Sequence, residues 1–189
     1  MGMPPLLPFM LMAIGASRAG QDERPEPDLA AKVAHVDYAE VRQGDCAIAA
    51  IIVVGRLLDL ELPDGDTEEQ IRLLRETFEV SPYEGVDGDE VALRLMQIGA
   101  GIRERHAVRL SRLMARLTAG DLALVVGRYE FYGDLHAVVV AVHPDYDGRW
   151  LIVHDSNYEA PYVATYREVQ AFRRRGEGLN PMYLVKSRK

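Results

Sequence analysis

The chain carries one cysteine, Cys46, in 189 residues. No intramolecular disulfide can form, so stability must come from packing, and the single thiol stays available for chemistry. Positive charge is also scarce: 22 Lys and Arg face 29 Asp and Glu, for a net charge of −7. Basic residues gather only at Arg103–Arg116 and Arg173–Arg175. That balance gives no general attraction to phosphate backbones or anionic lipid, and no nucleic-acid partner is expected. The apolar stretch Leu6–Gly15 is too short, and too interrupted by Pro8, to span a bilayer as a helix. No spacing of His, Cys and carboxylates resembles a zinc site, no glycine-rich phosphate loop is present, and Gly85-Val86-Asp87-Gly88 reads as a turn. Repeats and low-complexity tracts are missing too. Neither a metal nor a cofactor is expected.

What is present is an ordinary globular composition, with 48% hydrophobic and 27% charged residues, enough for one domain with one substantial core. Residues 1–28 read as an N-terminal segment and linker, and residues 29–189 as the domain. Within the segment, Leu6–Gly15 and the small residues Ala16-Ser17-Arg18-Ala19 have the look of a signal peptide, although no Lys or Arg precedes them. A misassigned start or a disordered tail is the other reading. The chain is placed in the cytoplasm, with export through this segment as the alternative.

Hydrophobic periodicity predicts a largely buried helix over Cys46–Leu60 with Asp45 as N-cap. Further helices are predicted from Thr67 to about Phe78, over Asp89–Ile98 ending at Gly99-Ala100-Gly101, and over Leu110–Leu117. From Leu122 onward short apolar runs predict strands at Leu122–Val126, from His136, over Trp150–Asp155, at Tyr162–Tyr166 and at Met182–Lys186, with a helix near Arg167–Arg174. Helices come first and strands second, which is an α+β pattern.

Cys46 opens its helix, where unpaired backbone N–H groups and the positive end of the dipole stabilise a thiolate and lower the thiol pKa. It is the candidate nucleophile. His136 opens one strand and Asp155 closes the next. With a four-residue turn at Pro144–Asp147, partners in the antiparallel pair have numbers summing to 291, and His136 faces Asp155 with Cβ atoms about 5 Å apart. Val138 then meets Val153 and Val140 meets Leu151, while His143 and His154 point to the other face. A one-residue slip would undo the assignment. His35 and His106 lie in polar surroundings and read as surface residues. A cysteine, a histidine that can take its proton and a carboxylate that orients the ring form a thiol-enzyme set.

Asp45-Cys46-Ala47-Ile48-Ala49-Ala50, the helical middle from Gly85 to Leu95 with Ile98-Gly99-Ala100-Gly101, Leu135-His136-Ala137-Val138 and Val153-His154-Asp155-Ser156-Asn157 together resemble the papain-like cysteine peptidases, closest to the bacterial C39-like, bacteriocin-processing type. The likeness runs from about Gln43 to Phe172. It implies a papain-like α+β fold, with the nucleophile helix packed on a C-terminal antiparallel sheet, and a thiol protease that uses no cofactor. Cys46 would be nucleophile, His136 general base and acid, and Asp155 the orienting residue of a Cys-His-Asp triad. Two positions depart from the pattern: Ala47 stands where the family has glycine, and Glu40 where it has its oxyanion glutamine. Gln43 is the nearest glutamine and is assigned that role, with the Cys46 backbone N–H as second donor. The implied activity is cleavage of a peptide or amide bond through an acyl-enzyme, on a peptide or protein substrate. The alternatives are a protein glutamine deamidase or acyltransferase effector on the same fold, and an inactive peptide-binding module. Loops at Tyr83–Asp89 and Arg128–Asp134 would line the cleft.

Overall fold

The computed structural model describes residues 24–37, 45–80, 88–105, 110–128, 135–144, 150–174 and 182–187. Its helices are α1 (Leu29–Ala34), α2 (Cys46–Leu58), α3 (Thr67–Thr77), α4 (Gly88–Gln97), α5 (Leu110–Thr118) and α6 (Tyr166–Arg174). Its strands are β1 (Ala100–Arg105), β2 (Leu122–Arg128), β3 (Leu135–Val142), β4 (Trp150–His154), β5 (Tyr162–Thr165) and β6 (Met182–Ser187). The strands make one antiparallel sheet in the order β1-β6-β2-β3-β4-β5. The molecule is an α+β protein, as the order of elements predicts.

Both faces of the sheet are buried, which is why its central strands are apolar along their whole length and not alternating. One face packs on α2, α3 and α4: Leu124, Val126, Ala137, Val139 and Tyr183 share a core with Ile48, Ile51, Ile52, Leu74 and Leu95. The other packs on α5 and α6, where Val125, Val138, Val140, Leu151, Val153 and Leu184 meet Leu113, Leu117 and Val169. Neighbouring residues on one strand therefore belong to different cores, the period-2 consequence of the pleat.

Helix α2 is buried from Ala47 through Gly55, as its all-round apolar sequence requires. It closes at Asp59 in the left-handed conformation (φ 51°, ψ 52°). A Cβ on Gly55 would lie 2.6 Å from the Leu62 side chain, so the glycine lets the chain leaving the helix fold back against it. Two elements are absent from the sequence reading, α1 and β1. Ahead of α1, Arg24 bonds the Val163 carbonyl at 3.2 Å and pairs with Glu168 at 2.6 Å, which lays residues 24–28 against the β5–α6 end of the sheet.

The β3–β4 pairing departs from expectation. Partners sum to 293, not 291: Val139 faces His154, Val140 faces Val153 and Ala141 faces Ile152. The N–H of His143 meets the carbonyl of Trp150, a residue that a four-residue turn would have set opposite Ala141. The connection is thus two residues longer than predicted, and most of it, residues 145–149, lies outside the described residues. A shift of two keeps every side chain on its predicted face, because the pleat repeats every two residues.

Candidate active site

Cys46 is the first residue of α2, and Asp45 occupies the N-cap position without acting as a cap. The Asp45 carbonyl accepts the Ala49 N–H at 2.8 Å, but its carboxylate forms an ion pair with Arg75 of α3, at 1% and 13% side-chain exposure. The half-buried thiol is tied to the sheet, since backbone N–H groups of Ala137 on β3 and of Ala47 are directed at the sulfur. Burial pushes the Cys46 thiol above its ordinary value, the negative charges of Asp155 and Asp45 add to this, and the two N–H groups only partly offset it. The expectation of a depressed thiol pKa is therefore corrected. Removing a thiolate from water outweighs the helix terminus here.

His136 and Asp155 are in direct contact: Nε2 and Oδ1 are 2.7 Å apart, with side-chain exposures of 8% and 0%. They are not opposite partners in the ladder. Asp155 lies one residue beyond β4, on the face that His136 shares with Val138 and Val140, and the two side chains close the remaining diagonal distance. The Asn157 N–H donates to the same Oδ1 at 3.0 Å, which fixes the carboxylate where the chain turns. Burial lowers His136 to about 4 and raises Asp155 to about 7. Burial thus favours the neutral form of both partners, the uncharged imidazole and the protonated carboxyl.

Phe172 of α6 stands edge-on to the His136 ring, with centroids 6.4 Å apart and planes at 83°. Gly127, opposite His136 on β2, makes room for it, as a Cβ there would fall 2.5 Å from the Phe172 ring. Neither Phe172 nor Arg75 was singled out from sequence. Phe172 carries the weak signal of an amphipathic helix, whereas nothing near Arg75 announces a partner 30 positions away.

The remaining histidines divide differently from the sequence expectation. His35 is buried at 7% exposure, not a surface residue; its Nε2 lies 3.0 Å from the Tyr158 carbonyl and its ring 5.8 Å from that of His154. The short helix α1 carries it under the sheet end, which its polar sequence neighbours do not reveal. His143 meets the Glu26 carbonyl at 2.9 Å. His106, Glu40, Gln43 and nearly all of the two predicted cleft loops lie outside the described residues. Among the described residues no group of three or more His, Cys, Asp or Glu side chains is placed to hold a metal ion, and no helix is long and apolar enough to cross a membrane. Comparison with known protein families finds none that matches the sequence, and comparison with curated proteins finds no match.

Proposed function

We propose that this protein is a thiol hydrolase of papain-like architecture that cleaves a peptide or amide bond through an acyl-enzyme on Cys46. The observation that carries the reading is the buried His136–Asp155 hydrogen bond of 2.7 Å on the strand that receives the sulfur. A histidine and an aspartate held together out of water, on the strand whose Ala137 N–H is directed at a helix-start cysteine, are the parts that general-base activation of a thiol needs. The uncharged thiol and imidazole imply proton transfer during attack and not a preformed thiolate–imidazolium pair.

With Nε2 committed to Asp155, Nδ1 is the nitrogen that exchanges a proton with the thiol. As sulfur attacks the substrate carbonyl, the S–H proton passes to Nδ1, and the new imidazolium is stabilised by the Asp155 carboxylate through Nε2–H. The tetrahedral oxyanion is met by the Cys46 backbone N–H, with Gln43 as the proposed second donor. Collapse expels the amine, which takes the proton from Nδ1. Water then gives a proton to the same nitrogen and attacks the thioester, which releases the carboxylic acid and restores the thiol.

A peptide-binding module is the second reading, favoured by the burial that raises the thiol and lowers the imidazole. One experiment separates the two. In wild-type protein mixed with p-nitrophenyl acetate, the account predicts a burst of p-nitrophenol and a single acetyl adduct on Cys46 by intact mass. His136→Ala slows this acylation by roughly a hundredfold or more, the usual contribution of a general base. Equal rates in the two proteins would leave only the binding module.

A further inference from the structure

Among the described residues three aspartates stand directly ahead of a helix, and they are used in two ways. Asp28, ahead of α1, has an extended backbone (φ −70°, ψ 171°) and accepts the Ala31 N–H at 2.8 Å. Asp66, ahead of α3, does the same (φ −75°, ψ 179°) with the Glu69 N–H at 3.0 Å. Asp45, ahead of α2, has a helical backbone (φ −85°, ψ −3°), makes no capping bond, and directs its carboxylate to Arg75. An extended N-cap aims its side chain back at the first turn, and a helical one turns it away. A buried ion pair carries no assured stability, because desolvation offsets its attraction. Stability alone thus does not explain why a good capping residue goes unused at the one helix that begins with the cysteine.

We propose that Arg75 is a positioning residue for Cys46: it holds the Asp45 carboxylate away from the start of α2 and neutralises it, so that the first N–H groups of the helix serve the sulfur. This rests on the reading of Cys46 as nucleophile. The Ala47 N–H, one of the two directed at the sulfur, sits in the first turn that an N-cap carboxylate seeks. Without Arg75, Asp45 competes for that turn and sets an uncompensated negative charge beside the thiol. Among the described residues the other charge acting on the sulfur is that of Asp155 at the end of β4, itself bonded to His136 on β3. On the neighbouring α1 and α4, Lys32 pairs with Glu26 and Arg94 with Glu90.

Because Cys46 is the only thiol, the rate of iodoacetamide alkylation, followed by intact mass against pH, reports on it alone. Arg75→Gln is expected to move the midpoint of this profile upward and to slow alkylation at pH 7 by about tenfold, one pKa unit. Adding Asp45→Ala to it restores the wild-type profile, and Asp66→Ala, which removes the cap of α3, leaves the profile in place. A merely structural arginine predicts otherwise: Arg75→Gln superimposing on wild type, or the double variant remaining displaced, overturns the proposal. If Arg75→Gln does not fold, Asp45→Ala alone decides, since an arginine left without its carboxylate must lower the midpoint, and an unchanged or raised one refutes the role. Failure of the hydrolase reading is separate: it appears as no acyl adduct on Cys46, whichever way the alkylation profile moves.

Discussion

His136 and His154 are buried in one sheet on either side of the same strand pair, at 7% and 3% exposure, yet they meet opposite surroundings. His136, on the α6 face, gives one ring nitrogen to Asp155 and has Phe172 at its edge. His154, on the α2 face opposite Val139, has no hydrogen-bond partner for either nitrogen and lies against a second histidine, His35. Burial, reinforced by the charge of His35, lowers His154 to about 3. Burial favours the neutral form of both rings, and of the two only His136 has a carboxylate bonded to it. Burial is common to the two rings, and the carboxylate partner is what separates them.

The most direct way to break the comparison is to give His136 the surroundings of His154. In Asp155→Leu the imidazole loses its orienting carboxylate, and acylation of Cys46 by p-nitrophenyl acetate is expected to fall roughly a hundredfold while the protein stays folded by circular dichroism. His154→Phe tests the other side. A base with a depressed folded-state pKa binds its proton more readily when unfolded, so its contribution to stability is complete above about pH 6.5 and is lost as pH falls toward 3. Asp155 runs the opposite way: raised to about 7 from 3.8, it adds stability as pH falls across that interval. Urea unfolding from pH 7 to pH 4 should therefore show the variant gaining on wild type as the medium is acidified, by on the order of a few kcal/mol. The smallest effect comes from Gly127→Ala, which forces Phe172 away from His136 and is expected to cost about 1–3 kcal/mol in the same assay.

The parts legible in the sequence are those set by local pattern. The unbroken apolar run after Cys46 reads as a buried helix, and the strand-like stretches at His136 and Trp150 place His136 and Asp155 on one face for any even shift of register. What could not be read depends on distant groups. Strand β1, Ala100–Arg105, holds the charged run Arg103-Glu104-Arg105 and lies at the sheet edge, where no alternation is required. Helix α1 spans only six residues and has no periodic face to recognise. The burial of His35 and the pairing of Asp45 with Arg75 come from packing between elements, and the raised thiol pKa follows from a degree of burial that no spacing encodes.

The central claim, that the ring of His136 is held ready to take a proton from Cys46, is tested most directly by long-range proton–nitrogen NMR of that ring at pH 8, above the Asp155 titration near 7. The account predicts one ring proton, on Nε2 and shared with Asp155, and an unprotonated Nδ1. A proton found on Nδ1 at that pH would leave the thiol without its base and contradict the mechanism.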